Sequence, residues 1–116
     1  MTTHRISKIN ELLRQHLAEI IERELSLKPG VLLTIAKVDT SRDLRYTRVF
    51  VSVFPEQELN YGLETLRKEA YTIQGKLNKL LSMKPLPRVE FFSDTTEVRA
   101  SEVEVLLAQI KNEQAH

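Results

Sequence analysis

Residues 38–53 read VDTSRDLRYTRVFVSV, and this stretch predicts a β-hairpin. Its polar middle, residues 39–45, separates two runs that are rich in β-branched residues, 31–38 and 46–54. β-Branched side chains favour extended backbone, and a connection this short favours antiparallel pairing of the two strands. We therefore expect these residues to form an antiparallel hairpin.

The two faces of the second strand differ in chemistry. Alternate residues of a strand point to the same side. The apolar face carries Thr47, Val49, Val51 and Val53. We expect this face to pack on helices. The opposite face carries Arg48 and Phe50, a cation and a ring, which we expect to lie near solvent.

Helical periodicity flanks the hairpin on both sides. Residues 5–27 repeat apolar side chains at spacings of three and four, which predicts an amphipathic helix that ends at Pro29-Gly30. Residues 59–81 carry a second stripe of the same period. Its members are Leu59, Leu63, Leu66, Ala70, Ile73, Leu77 and Leu80 or Leu81. A coiled coil is the alternative interpretation of this spacing, and the two glycines within the stripe argue against it.

The second stripe is too long for one straight helix in a domain of this size. Residues 59–81 would span about 35 Å as a single helix, whereas a chain of this length folds to a radius of gyration of about 13 Å. We therefore expect a break, and we place it among Ala70, Thr72 and Gly75, because glycine weakens a helix by about 1 kcal/mol relative to alanine. The alternative role for Gly75 is relief of crowding against the first helix.

The remaining elements complete one domain. Residues 88–93 read as a third strand. A Ser-x-x-Glu capping box at Ser101–Glu104 predicts a short C-terminal helix over about 101–112. The element order predicts an α+β fold, with three strands covered by helices on one face. We expect a single domain over residues 1–116, with its core at about 5–95.

Composition argues against several classes of protein. The chain has no cysteine, which rules out disulfides, thiolate zinc sites and a thiol nucleophile. No apolar run approaches the roughly 18 residues needed to cross a bilayer, and the N-terminus carries no secretory pattern, so we expect a cytoplasmic location. The three histidines form no metal-binding pair, and no phosphate-binding glycine loop is present. We expect no catalytic residue, metal or cofactor.

Charge is balanced overall but uneven along the chain. The 17 basic and 16 acidic side chains give a net charge of +1, which does not mark a strongly basic nucleic-acid-binding protein. Residues 67–88 hold several basic side chains and Glu69 as the only acid, which favours a locally basic surface. The basic residues are Arg67, Lys68, Lys76, Lys79, Lys84 and Arg88. An ordinary solvated helix face is the alternative.

The hairpin 38–53 and the segment 86–94, LPRVEFFSD, resemble the ribosome-binding factor A family, and the resemblance covers roughly residues 5–110. It implies a KH type II domain in which a kinked helix with an Ala-x-Gly element replaces the usual Gly-x-x-Gly loop. It also implies binding to the maturing small ribosomal subunit and its rRNA, a role in late maturation, rRNA processing and cold adaptation, and no catalytic activity. In this chain Ala70 matches the alanine, but Thr72 stands in place of the glycine.

Under this interpretation the candidate RNA contacts are cations that bind phosphate. They are Arg45, Arg48, Lys68, Lys76, Lys79 and Lys84. We expect Ser41 and Asp43 to hold the hairpin turn, and the protein to be a monomer without a membrane or small-molecule partner. One rival function is a protein-interaction module that uses the outer sheet face around Phe50 and Phe92. A second rival, an enzyme, would need a pocket that the sequence does not indicate.

Overall fold

The chain forms a three-stranded sheet with helices packed on one face. The computed structural model describes residues 2–82 and 86–94, with side chains from residue 5 onward. The elements are α1 (Thr2–Glu24), β1 (Leu32–Thr40), β2 (Tyr46–Phe54), a 3-10 turn (Glu56–Glu58), α2 (Leu59–Lys68), α3 (Ala70–Leu80) and β3 (Arg88–Ser93). This order confirms the predicted α+β fold. The predicted C-terminal helix and Lys84 lie outside the described residues.

β2 is the central strand of the sheet. The strand order is β1-β2-β3, with β1 antiparallel and β3 parallel to β2. The predicted hairpin is therefore confirmed. A parallel pair cannot be joined by a tight turn, so the chain must cross over between β2 and β3, and α2 and α3 make that crossover.

A bulge in β1 keeps its apolar residues on the helix face. The register shifts by one residue between Ile35 and Lys37. Ile35 pairs with Val51 before the shift, and Val38 pairs with Val49 after it, so both β1 residues share the valine face of β2. Because side chains alternate along a strand, an unbroken β1 would turn Val38 to the other side.

The core lies between the sheet and the helices. Its fully buried apolar side chains include Leu13, Leu17, Val49, Val51, Leu66, Ile73 and Leu77. The valine face of β2 thus packs on helices, as predicted. The expectation that Phe50 lies near solvent is wrong, because only 6% of it is exposed. Its ring centroid lies 5.8 Å from that of Phe92, and the parallel pairing of β2 with β3 supplies this neighbour.

The turn between β1 and β2 is held by its own side chains. Ser41 Oγ donates to Asp43 Oδ1 at 2.6 Å and accepts a hydrogen bond from the Tyr46 N–H at 3.1 Å. The Arg45 N–H donates to the same Asp43 oxygen at 3.1 Å. The Ser41 hydroxyl, followed by the Arg45 amide and charge, holds the pKa of the Asp43 carboxyl below its ordinary value. Ser41 and Asp43 therefore hold the turn, as predicted.

The central helical stripe breaks at Glu69, whose φ of −94° and ψ of 3° separate α2 from α3. The prediction of two helices is confirmed, but the position among Thr72 and Gly75 is wrong, since both lie inside α3 and Ala70 is its first residue. The two halves pack on different elements: α2 lies against β2 and β3, whereas α3 lies against α1 and β3. Tertiary packing therefore sets the break, rather than the weakest helix former.

A side chain would be crowded at position 62 but not at position 75. A Cβ at Gly62 would lie 2.7 Å from Val53 Cγ2, whereas a Cβ at Gly75 would have no described atom within 4 Å. The close approach of α2 to β2 thus needs glycine at position 62. The hypothesis that Gly75 relieves crowding against the first helix is also wrong.

We expect opposite effects from alanine at these two glycines. Gly75→Ala should raise the free energy of unfolding by about 1 kcal/mol, because alanine favours a helix interior that has room for it. Gly62→Ala should lower it by about 1–3 kcal/mol, because the methyl group collides with Val53. Urea denaturation of the two variants and the parent protein measures both values. A loss of stability in Gly75→Ala would contradict the position of the helix break.

The stabilisation from Asp43 should depend on pH. Its pKa is lowered in the folded protein, so the stabilisation is fully present above about pH 4, the ordinary aspartate pKa, and is lost as the pH falls through the folded-state value. Asp43→Ala should therefore be less stable than the parent at neutral pH, and the difference should narrow below about pH 4. Urea denaturation across this range tests it, with Asp39→Ala on β1 as the control. A difference that stays constant with pH would contradict the assignment.

Candidate nucleic-acid interface

The two hairpin arginines stand beside acidic residues. The Nε of Arg45 lies 3.9 Å from Asp43 Oδ2. Arg48 on β2 is in register with Asp39 on β1 and with Glu90 on β3, so an acidic residue stands on each side of it. Both arginines are exposed. Neighbouring negative charge nevertheless weakens the attraction of a guanidinium for phosphate.

The helical lysines do not form one cluster. The Nζ of Lys68, at the end of α2, lies 3.7 Å from Glu64 Oε1. The Nζ of Lys76 lies 2.7 Å from Glu24 Oε1 at the end of α1, which places Lys76 on the side of α3 that faces α1. Lys79 is exposed further along α3. Charge counting along the chain grouped these lysines, but the structure separates Lys68 from Lys76.

A groove lies between α3 and β3, beside the helix break. Its lining combines an exposed ring, two side-chain amides, a guanidinium group and apolar side chains. The lining residues are Ala70, Tyr71, Gln74, Asn78, Leu81, Leu86, Arg88 and Val89. Of the predicted kink residues, Ala70 thus lies in the groove.

Gln74 joins the two walls of this groove. Its Oε1 accepts a hydrogen bond from the Val89 N–H at 2.8 Å, and its Nε2 donates to the Pro87 carbonyl at 3.3 Å. The same Nε2 lies 3.0 Å from Asn78 Oδ1. The backbone groups of an edge strand have no strand partner on one side. Gln74 satisfies one of them, the Val89 N–H, together with the carbonyl of Pro87 directly before β3, and so links α3 to β3.

Arg67 makes a second link across the same edge. Its Nη2 donates to the Phe91 carbonyl at 2.9 Å. Arg67 lies at the end of α2 and Gln74 lies in α3. One hydrogen bond to β3 therefore comes from the helix before the break at Glu69, and the other comes from the helix after it. This guanidinium therefore positions the helices, and a phosphate would have to compete with a protein carbonyl for it.

The groove has the components that single-stranded nucleic acid binding requires. Tyr71 is 92% exposed at the second position of α3, so its ring can stack on a base. Arg88 is an exposed cation in the groove lining, and Lys68 is an exposed cation at the end of α2, directly before the break. KH domains bind single-stranded nucleic acid where two helices meet, which is the position of this break.

Sequence reasoning missed Tyr71, Gln74 and Asn78, and counted Arg88 without proposing it as a contact. A signal for Tyr71 was available, because a large ring that lies off the apolar stripe has no place in the core. Gln74 had no such signal. Its partner Val89 lies 15 residues further along the chain, and only the fold brings the two together.

Within residues 2–82 and 86–94, no group of three or more histidine, aspartate or glutamate side chains is arranged to hold a metal ion. No helix in the same ranges is long and apolar enough to cross a membrane.

Known sequences resemble the chain over nearly its whole length. The profile of the ribosome-binding factor A family matches residues 5–107. Ribosome-binding factor A of Thermomicrobium roseum is 32% identical over 114 residues, which cover 97% of this chain and 88% of that protein. Ribosome-binding factor A of Vibrio campbellii is 31% identical over 111 residues, covering 94% and 82% respectively.

Solved structures resemble the fold as well. The crystal structure of ribosome-binding factor A from Thermus thermophilus superposes with a TM-score of 0.64 at 29% identity, over 76% of this chain and 93% of that one. Coordinates of the T. thermophilus protein fitted into a cryo-EM map of its complex with the 30S subunit superpose with a TM-score of 0.60 at 31% identity, over 72% and 88%.

Proposed function

Because this chain belongs to the ribosome-binding factor A family, we propose that it binds the small ribosomal subunit and acts as an assembly factor. The observation that carries the proposal is the likeness to the T. thermophilus protein fitted into a map of a 30S complex, which is 31% identical to this chain. The proposal includes contact with the rRNA, a cytoplasmic location, and support of late maturation, rRNA processing and growth in the cold. It involves no catalysis.

The groove between α3 and β3 is the RNA contact in this proposal. Lys68 and Arg88 attract the phosphate backbone, and Tyr71 stacks on an unpaired base. Stacking of a base on an aromatic ring contributes about 1–3 kcal/mol and tolerates any base. Gln74 acts indirectly, because its amide is engaged with β3 and holds the groove open.

The other proposed cations rank below Arg88, which lines the groove, and Lys68, which stands directly before the break although its Nζ lies 3.7 Å from Glu64 Oε1. Lys76 already pairs with Glu24 at 2.7 Å, and Arg48 has an acidic residue in register on each side. Lys79 and Arg45 are exposed and remain candidate phosphate contacts, and Arg45 lies next to Arg88, because its carbonyl accepts a hydrogen bond from the Arg88 N–H at 2.8 Å. RNA binding by a protein of net charge +1 thus depends on where cations stand, rather than on how many there are.

The protein should sediment with free small subunits or their precursors, and its binding should weaken as the salt concentration rises, because neutralised phosphates release counterions.

Lys68→Ala combined with Arg88→Ala should weaken binding and flatten the salt dependence by up to about two units of slope. Lys8→Ala combined with Lys37→Ala is the matched control, because it removes the same charge from exposed sites on α1 and β1. Sucrose gradients and titrations with purified 30S particles provide the measurements.

Substitutions at Tyr71 distinguish base stacking from charge attraction as a source of RNA-binding affinity. Tyr71→Ala should cost about 1–3 kcal/mol of binding free energy, whereas Tyr71→Phe should bind like the parent protein. Stability should change little in either variant, because the ring is exposed.

Protein found only at the top of the gradient, or only with polysomes, would contradict the proposed function. Salt-independent binding would instead favour the protein-interaction alternative.

A further inference from the structure

The groove between α3 and β3 meets the outer face of the sheet at Arg88. This residue lines the groove, and it is in register with Tyr46 on the neighbouring strand β2. The next residues of the two strands, Val89 and Thr47, are a buried pair. Because side chains of a strand alternate between the two faces, Tyr46 and Arg88 both stand on the outer face, on strands about 5 Å apart. Arg88 is therefore the corner between the groove and that face.

Two exposed side chains next to Arg88 are carried by a fixed backbone. Tyr46 is 49% exposed, and 75% of the Arg45 side chain is exposed. The Tyr46 N–H donates to Ser41 Oγ at 3.1 Å, and its carbonyl accepts from the Ser41 N–H at 2.8 Å. The Arg45 N–H donates to Asp43 Oδ1 at 3.1 Å, and its carbonyl accepts from the Arg88 N–H at 2.8 Å. A ligand that binds these side chains thus loses little affinity to ordering of the backbone.

Positive charge outweighs negative charge at this end of the sheet. Arg42, Arg45 and Arg88 are all exposed and lie where the parallel strands β2 and β3 begin. Asp43 is the acid beside them, and its carboxylate already accepts hydrogen bonds within the turn. The acids that flank Arg48 lie further along the strands. Among the described residues, this end therefore carries a local excess of cations, which attracts phosphate.

We propose, building on the proposed function, that the bound RNA strand continues past Arg88 onto the outer face, where Tyr46 stacks on a second unpaired base. Tyr71 shares the groove with Arg88, and Tyr46 stands beside Arg88 on the other side of the corner. Rings that alternate with cations suit a single strand, in which bases alternate with phosphates. The ligand is then a single-stranded segment longer than the about four nucleotides that a KH groove clamps.

Exposed tyrosine and arginine side chains also occur at protein interfaces. RNA is the favoured occupant here for two reasons. Arg88 belongs to the candidate RNA groove as well as to the outer face. The cations at this end of the sheet also exceed the single acid of the turn, which suits a phosphate backbone.

The dependence of affinity on RNA length tests the proposal. Oligouridylates of about four and about eight nucleotides are titrated by fluorescence anisotropy against the full-length protein. Tyr46→Ala should weaken binding of the longer RNA about tenfold, equivalent to about 1.4 kcal/mol and within the range for one stacked base. It should leave binding of the shorter RNA unchanged. Tyr71→Ala should weaken binding of both, because its ring lies in the groove.

The matched control is Phe54→Ala, which removes an exposed ring from the same face at the other end of β2 and should leave both affinities unchanged. Tyr46→Phe keeps the stacking ring and should bind like the parent protein. Arg45→Gln is a second variant in case Tyr46→Ala disturbs the sheet, and it should weaken binding of the longer RNA more than that of the shorter one. Urea denaturation of each variant measures its stability.

Three results would overturn the proposal, and they differ in what they say of the groove. If Tyr71→Ala weakens binding and Tyr46→Ala does not, the groove stands and its extension is wrong. If neither substitution matters for either RNA or for 30S particles, the groove is wrong as well. If Tyr46→Ala weakens binding to 30S particles but not to the longer RNA, Tyr46 contacts a ribosomal protein instead.

Discussion

Burial of one face of β2 is the constraint on which the rest of the structure depends. Val49 and Val51 are fully buried, and β2 has a strand on each side, so helices must cover this face. The bulge in β1 between Ile35 and Lys37 aligns that strand's apolar residues with the same face. α2 and α3 then return the chain for parallel pairing of β3 while closing over the valines. Gly62 permits the closest approach of α2, because any side chain there would meet Val53.

The bend between α2 and α3 connects this packing to the candidate RNA groove. α2 rests on the sheet and α3 rests on α1, so the helical stripe breaks at Glu69. Arg67 and Gln74, on opposite sides of the break, then bond to the backbone of β3. The unpaired edge of the sheet is thereby partly satisfied, and the same bonds hold the groove at a set width. Tyr71 stands beside it as a consequence of the bend.

Local arrangement of charge, rather than total charge, gives the protein its candidate surface for RNA. The chain is almost neutral, and Arg48 and Lys76 stand beside acidic residues that come from other elements. Arg88 lines the groove, and Lys68, whose neighbouring acid Glu64 belongs to the same helix, stands at the end of α2, before the break. A phosphate backbone is attracted to such a local patch over about a Debye length, roughly 8–10 Å at ordinary ionic strength, so distant acids matter little.

The sequence by itself determined the α+β class, the hairpin, the order of the elements from α1 to β3 and the turn held by Ser41 and Asp43. These features rest on side-chain period and on hydrogen bonds between near neighbours, which local pattern reveals. Only the tertiary structure decided that the helix breaks at Glu69, that Phe50 is buried against Phe92, and that Gln74 spans the groove. Each of these depends on the register between segments far apart in the chain, because pairing across β2 and β3 chooses which side chains meet.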